Sequence, residues 1–344
     1  MKHFKNKIGI LILVSLLAIQ CSDIHKPTTY KYEFKAGWPS PSIPENNPLT
    51  FESIELGRHL FFDKGLSLDS TISCASCHIA QQGFADVSDF STGIKGRKGF
   101  RNSGTLTNIA YLPYFNRDGG VKTLDIFATV PIEDHDEMGF NMLLAGQRLG
   151  QNPDYAKMSR KAYGRDFDGF VISRSIASFL RTFISDNSIY DQYQRQKPGI
   201  EISEAAKRGE TLFFSEKGQC SNCHSGIHFA DFSFQNNGLK ESYVNSDRGR
   251  ERITLDPKDE GKFRVATLRN IEFTAPYMHN GSLKSLKEVL QHYSGNGKDH
   301  RNESPLIDKI NLTPQEEDDI IAFLKTLTDK DFITNPAFSP PLKN

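Results

Sequence analysis

The chain has 344 residues, of which 37% are hydrophobic, and its 42 basic side chains balance 42 acidic ones. This balance gives no electrostatic basis for binding nucleic acid, and beyond the first twenty residues no apolar run is long enough to span a membrane. The length is sufficient for two domains of ordinary size.

The N-terminus has the pattern of an export signal. Several lysines precede an apolar run over residues 8–19, which is too short to span a bilayer comfortably. Residues 1–20 are therefore predicted to be a signal peptide. This prediction places the mature protein outside the cytoplasm.

Cys21 follows the apolar run directly and is the one cysteine outside two motifs described below, so it has no disulfide partner. Residues 17–20 resemble the lipobox of a lipoprotein, although Gln20 is bulkier than the small residue usual at that position. Simple cleavage and an uncleaved anchor are the alternatives. We expect a periplasmic, lipid-anchored protein in which the proline-containing residues 21–48 form a tether.

The pattern Cys-x-x-Cys-His occurs twice, at residues 74–78 and 220–224. In this pattern the two thiols add across the vinyl groups of one haem and the adjacent histidine ligates the iron. A zinc ribbon is the alternative, but its cysteine pairs lie about 15–20 residues apart and need no following histidine. The sequence therefore predicts two covalently bound haem c groups, held by Cys74, Cys77 and His78 and by Cys220, Cys223 and His224.

The two motifs lie in two copies of one sequence unit. Residues 57–62, before the first motif, match residues 209–214, before the second, and both have a helical apolar pattern. Residues 176–183 likewise match residues 320–327, in a helix that starts with a capping box at Thr313. The repeat predicts two domains of the same construction.

Each unit contains a helix, a haem motif, long glycine-rich loops and a second helix. Long irregular segments normally argue against a compact domain, but loops that wrap a cofactor are the expected exception. The predicted fold is mainly α, with two cytochrome c-like helical domains that each surround one haem. We place the N-terminal domain at residues 49–197 and the C-terminal domain at residues 198–344.

Four further motifs accompany the haem motifs, at residues 100–103, 136–139, 268–271 and 275–281. With them the sequence closely resembles the bacterial di-haem cytochrome c peroxidase and MauG family, from about residue 48 to residue 327. The resemblance implies a peroxide-reactive haem in the N-terminal domain and an electron-transfer haem in the C-terminal domain. It also implies a calcium ion between the two domains.

The resemblance assigns roles to single residues as well. His78 and His224 take the proximal ligand positions, and Glu137 takes the position of a distal acid/base carboxylate near the first haem. The calcium positions carry oxygen donors, which suit a hard cation. These donors are the side chain of Asn102 and the carbonyl groups of Thr274 and Pro276.

Four positions depart from the family pattern. Ile94 replaces the distal histidine of the peroxidases that need reductive activation, which predicts an open site at the first haem. Tyr293 replaces the methionine ligand of the second haem, as in the MauG branch. Phe127 replaces a distal glutamine, and Arg117 replaces the tryptophan that lies between the haems, which removes an obvious station for electron transfer.

Two assignments have competing residues. Splitting the O–O bond of peroxide requires a group that moves a proton from the near oxygen to the far one, and Glu137 is favoured for this role over His135. For the sixth ligand of the second haem, Tyr293 is favoured over Met278 and His292, because a phenolate is an established haem ligand and a methionine is equally suited to core packing.

The predicted function is reduction of hydrogen peroxide at the N-terminal haem, with electrons delivered through the C-terminal haem. The donor would be a reduced small cytochrome or another periplasmic electron donor. One alternative is MauG-like oxidation of side chains in a partner protein, and another is a di-haem electron carrier without peroxide chemistry. Membrane contact is expected only through the lipid anchor.

Overall fold

The computed structural model describes residues 26–295, 297–307 and 310–342, so the predicted signal peptide and Cys21 lie outside it. The described chain is mainly α-helical, as predicted, and has no helix long and apolar enough to cross a membrane. Its α-helices are α1 Phe51–Phe62, α2 Cys74–Cys77, α3 Leu124–Phe127, α4 Val130–Glu133, α5 Met142–Gly150, α6 Pro153–Tyr163, α7 Gly169–Arg181, α8 Ile189–Gln194, α9 Glu204–Phe213, α10 Glu251–Thr254, α11 Leu286–Ser294, α12 Pro314–Lys325 and α13 Lys330–Ile333.

Short elements connect these helices. Two strands, β1 Phe234–Gln235 and β2 Phe263–Arg264, pair in antiparallel orientation. The 3-10 helices are Lys64–Leu66, Ala80–Gln82, Ile94–Gly96, Ile109–Tyr111, Cys220–Asn222, Pro257–Asp259, Ile271–Phe273 and Pro336–Phe338.

Two helix pairs organise the fold, and they contain the segments that the sequence repeat matches. Helix α1 packs against α7, and α9 packs against α12. A Cβ atom at Gly57 would overlap the carbonyl oxygen of Ser175, and one at Gly209 would overlap that of Asp319. A glycine at the same place in each pair therefore lets the two helices approach closely.

The N-termini of these helices have the expected caps. At the start of α12 the Thr313 hydroxyl accepts a hydrogen bond from the Glu316 backbone N–H at 3.3 Å. The Glu316 carboxylate accepts one from the Thr313 N–H at 2.8 Å, which completes the predicted capping box. Thr50 and Ser53 form an equivalent box at the start of α1.

Each helix pair covers its own hydrophobic core. The first core contains Leu56, Phe61 and Phe179, and the second contains Phe213 and Phe323. Both cores are rich in aromatic rings, which bury large apolar areas and prefer edge-on contacts. One example is the T-shaped pair of Phe61 and Phe179, whose ring centroids lie 5.5 Å apart.

The C-terminal segment packs against the first core, although the predicted domain boundaries assign residues 198–344 to the second domain. The ring of Phe332 lies 5.4 Å from that of Phe84, and the ring of Phe338 lies 4.8 Å from that of Phe183. Before this segment, the Asp329 carboxylate accepts hydrogen bonds from the Ser185 hydroxyl and the Asn187 N–H. These contacts direct the chain back to the N-terminal domain.

Candidate functional site

Each haem motif lines its own cavity. The first motif lines one cavity, and the second motif lines a larger one. All four motif cysteines lie on these cavity walls and none forms a disulfide. Thiols and an imidazole on one apolar cavity wall are the groups that covalent attachment of a haem requires, so both cavities fit the predicted cofactor.

The motif histidines are oriented alike. Nδ1 of His78 lies 2.8 Å from the carbonyl oxygen of Phe84, and Nδ1 of His224 lies 3.0 Å from that of Phe229. A ring nitrogen beside a carbonyl oxygen carries the proton, which leaves Nε2 with its lone pair free for a metal. Burial lowers the pKa of both imidazoles and therefore favours the neutral form that ligates iron.

Glu137 lines the first cavity together with His78. Burial, and to a smaller extent the negative charge of Asp134, raises the pKa of the Glu137 carboxyl to about 7. Among the described residues that line this cavity, Glu137 is the only one outside the haem motif with an ionisable side chain. A carboxyl with this pKa can both accept and donate a proton near neutral pH.

A tight turn separates Glu137 from the competing His135. The Gly139 N–H donates to the carbonyl oxygen of Asp134 at 2.8 Å, and the Glu137 carbonyl accepts from the Ile94 N–H at 2.8 Å. The His135 side chain is 73% exposed, and its Nδ1 lies 2.7 Å from a carboxylate oxygen of Asp136. The turn therefore places Glu137 at the cavity and His135 at the surface.

The rest of the first cavity is largely apolar. Phe127, in the place of the family's glutamine, lines the cavity and stacks on Phe115 with ring centroids 5.5 Å apart. Ile94, in the place of the distal histidine, is fully buried and packs beside Gly139. Neither side chain carries a nitrogen atom that could ligate a haem iron.

The structure separates the three proposed ligands of the second haem. Tyr293 and Met278 line the second cavity, whereas Nε2 of His292 lies 2.8 Å from the carbonyl oxygen of Asn237. The Asn237 side chain also donates to the Met278 sulfur at 3.0 Å. Burial raises the pKa of the Tyr293 phenol, and a hydrogen bond with Asn237 opposes this rise. Asn237 thus contacts all three residues.

Two arginines contribute positive charge to the second cavity. Arg117 and Arg264 both line it, and Arg264 Nε is buried without a hydrogen-bond partner in the described part of the chain. Burial lowers the pKa of each guanidinium to about 10, so both stay charged at neutral pH. A haem carries two propionate carboxylates, and Arg264, whose Nε has no other partner among the described residues, is suited to bind one of them.

One of the three predicted calcium donors, the side-chain oxygen of Asn102, is engaged by an arginine. Asn102 and Thr274 are buried, but the Asn102 side-chain oxygen accepts a hydrogen bond from Arg117 Nη2 at 2.9 Å. Within the described ranges no group of three or more His, Cys, Asp or Glu side chains could hold a metal ion. The positively charged Arg117 side chain therefore holds a hydrogen-bonding position on the Asn102 oxygen that calcium would use.

Sequence patterns gave no indication of Asn237 or Arg264. Both belong to the irregular segment that contains β1 and β2, and neither lies in a recognised motif. A buried guanidinium without a carboxylate partner can be recognised only in the three-dimensional structure, because a sequence does not show which arginines face a cavity.

Comparison with known proteins identifies a family to which this chain is similar. The family model for di-haem cytochrome c peroxidase matches residues 51–198. Cytochrome-c peroxidase IdrP1 of Pseudomonas sp. (strain SCT) is 32% identical over 94% of this chain and 93% of its own length. Methylamine utilization protein MauG of Methylorubrum extorquens is 34% identical over 83% of this chain and 80% of its own length.

Solved structures agree with these relatives. A MauG-like protein associated with microbial copper homeostasis has a TM-score of 0.86 and 34% identity, and the match covers 91% of this chain and 99% of that protein. The di-haem peroxidase BthA from Burkholderia thailandensis has a TM-score of 0.70 at 21% identity, covering 87% of this chain and 92% of that one. The latter likeness concerns the fold alone.

Proposed function

The chain belongs to the di-haem cytochrome c peroxidase and MauG family, and we propose that it reduces hydrogen peroxide at the first haem with electrons delivered through the second. Each peroxide takes up two electrons and two protons and gives two molecules of water. The proposed donor is a reduced small cytochrome or another periplasmic electron donor. A haem held by Cys74, Cys77 and His78 would supply the redox-active iron to which peroxide binds.

The observation that carries this proposal is the position of Glu137. Its carboxyl lines the cavity of the first motif and has a pKa of about 7. The ionised form can take the proton from the near oxygen of peroxide, and the resulting acid can return it to the far oxygen as the O–O bond breaks. Most of the side chains that line the cavity around it are apolar.

Glu137→Gln tests this assignment, with His135→Gln as the matched control two residues away. We expect the glutamine variant at position 137 to bind peroxide but to lose about 10²–10⁴ in the rate of peroxide cleavage, because an amide cannot accept a proton. The control should react like the wild type, since the His135 side chain lies at the surface. Stopped-flow absorbance of the holoprotein measures both rates, and an unaffected rate in Glu137→Gln would contradict the role of this carboxyl.

A second candidate function is MauG-like oxidation of side chains in a partner protein. Tyr293 favours it, because an anionic phenolate stabilises oxidised iron more than a thioether does, and this residue lines the second cavity. Arg117 opposes it, since an arginine cannot act as the redox station that a tryptophan between the haems would provide. Mixing the holoprotein with peroxide alone distinguishes the two functions: oxidising equivalents that persist until a protein substrate is added favour the MauG-like function.

We also propose a periplasmic location and a lipid anchor at Cys21. The apolar segment before this cysteine supports export, and haem c attachment takes place outside the cytoplasm. Calcium is not part of the proposed function, because the donor oxygen of Asn102 is bonded to a guanidinium.

A further inference from the structure

Asn102 lies where the two domains meet, and every polar group of its side chain is engaged. Its backbone N–H donates to the carbonyl oxygen of His279 at 2.9 Å. Its side-chain N–H donates to the carbonyl oxygen of Ser88 at 3.0 Å, which fixes the orientation of the amide. The side-chain oxygen accepts from Arg117 Nη2 at 2.9 Å, and the backbone oxygen accepts from Arg117 Nε at 3.2 Å. The guanidinium thus binds two oxygens of one residue.

Arg117 has no carboxylate partner of its own among the described residues. The neighbouring carboxylates of Asp118 and Asp247 pair instead with Arg101, at 2.7 Å and 2.5 Å. The positive charges of Arg264 and Arg101 add to the desolvation that lowers the pKa of Arg117 to about 10, which still leaves it protonated at neutral pH. The contact between the domains therefore contains a fixed cation whose nearest acceptors are neutral oxygens.

A calcium ion cannot share this place at low energetic cost. Calcium binds oxygen ligands at about 2.3–2.6 Å, so an ion on the Asn102 oxygen would lie within about 5.5 Å of Arg117 Nη2. The carboxylates of Asp118 and Asp247 both pair with Arg101, so neither is free to offset the repulsion between a divalent ion and the Arg117 guanidinium.

We propose that the Arg117 guanidinium replaces a divalent cation at Asn102, and that the two haem domains are held together here without calcium. The residue that departs from the family's tryptophan would thus also explain why the family's calcium donors do not form a site in this chain. This inference goes beyond the proposed peroxidase function and does not depend on it, because metal content is measured without turnover.

The wild-type holoprotein provides the first test. After dialysis against a calcium chelator and then chelator-free buffer, elemental analysis should find no stoichiometric calcium. The visible and electron paramagnetic resonance spectra of both haems should be the same before and after dialysis. One calcium ion per chain that survives gel filtration, or haem spectra that change on chelation and recover with calcium, would overturn the proposal.

The second test removes the charge. Arg117→Gln keeps a hydrogen-bond donor near Asn102 but is neutral, and we expect it to bind one calcium ion per chain in calorimetric titration with calcium chloride. Arg264→Gln is the matched control, because it removes an arginine from the same cavity that does not bond to Asn102, and it should bind none. If Arg117→Gln takes up no more calcium than the wild type, the guanidinium is not what excludes the ion and the proposal fails. The wild-type measurement decides the question even where a variant does not fold.

Discussion

The pKa of the Glu137 carboxyl is set mainly by burial, with a smaller contribution from a neighbouring charge. Desolvation disfavours the ionised form, and the negative charge of Asp134 acts in the same direction, so the pKa rises to about 7. An exposed carboxyl would be almost fully ionised at neutral pH. It would also be too weak a base to take a proton from peroxide. The cavity therefore makes this residue suitable for proton transfer.

This pKa predicts a pH dependence with a definite sign. The ionised carboxylate is the form that accepts the peroxide proton, and its fraction grows as the pH rises above the pKa. We expect the rate of reaction with peroxide to increase through about pH 7 and then to level off. Stopped-flow measurements from about pH 5 to 9 check this. If the rate of Glu137→Gln increases by the same factor and at the same pH, the titrating group is not Glu137.

The ligand of the second haem can be tested by a pair of substitutions. If Tyr293 is the ligand, Tyr293→Phe should change only the second-haem signals in the electron paramagnetic resonance spectrum. It should also raise that haem's potential, because an anionic ligand stabilises ferric iron. Met278→Leu is the control and should leave both sets of signals nearly unaltered, since the Met278 sulfur accepts a hydrogen bond from Asn237. The reverse pattern would identify Met278 as the ligand.

At these sites the sequence predicted which types of residue are present, but it did not predict which way their side chains point. The Cys-x-x-Cys-His spacing marked the residues that line both cavities, because attachment chemistry requires that spacing. The resemblance favoured Glu137 over His135, but the turn closed by the Gly139 N–H, which decides the residue that faces the cavity, is visible only in the structure. The bond between Arg117 and Asn102 also depends on tertiary structure.

At the scale of secondary structure, each of the two helix pairs has a glycine at the corresponding position of its contact. Gly57 in α1 and Gly209 in α9 each lie against a backbone carbonyl of the partner helix. Glycine weakens an isolated helix by about 1 kcal/mol relative to alanine, so close packing must offset that cost. The repeated use of one glycine explains why the two sequence copies keep this position although their motif loops differ.

Gly57→Ala and Gly209→Ala should both destabilise the protein. Each added methyl group would overlap a carbonyl oxygen, and forcing the helices apart should cost about 1–3 kcal/mol, which exceeds the gain in helix propensity. Gly99→Ala is the control, because a Cβ there meets no atom within 4 Å. Thermal unfolding of the holoproteins measures the loss of stability. If the midpoint temperature of both helix variants equals that of the wild type, the helices are not packed closely enough at these glycines to exclude a methyl group.

Apolar periodicity predicted the paired helices but not the destination of α13. Residues 330–338 contain aromatic side chains that suit either core, and nothing in their spacing selects one. The choice follows from the hydrogen bonds of the Asp329 carboxylate to Ser185 and Asn187, which direct the segment to the first core. Such long-range contacts have no local sequence signal.

In the whole molecule, a charged network joins the two haem domains. Arg101 pairs with Asp118 in its own domain and with Asp247 in the other, and all three side chains are at most 15% exposed. Arg269 makes a comparable bidentate pair with Asp191, at 2.7 Å and 2.8 Å. Breaking one partner of such a pair would leave a buried charge, so these contacts fix how the domains are arranged.

The proposed lipid anchor makes a prediction for the complete chain in the cell. Cys21→Ser should release the protein from the membrane fraction into the soluble periplasmic fraction, because the proposed lipid is attached through the cysteine thiol, which serine lacks. Fractionation of cells followed by haem staining measures the distribution. A variant that stays with the membranes would show that the N-terminal apolar segment, rather than a lipid, is the anchor.

The most direct test of the proposed function is the stoichiometry of peroxide reduction. The holoprotein would be mixed with limiting hydrogen peroxide and an excess of a reduced small cytochrome, and oxidation of that cytochrome would be followed by absorbance. We expect two cytochromes to be oxidised rapidly for each peroxide, and the rate to fall in Glu137→Gln, since this carboxyl lines the first cavity. A holoprotein that oxidises no cytochrome with peroxide, and in which both resting irons are low-spin and six-coordinate, would instead be an electron carrier and would contradict the proposed peroxidase function.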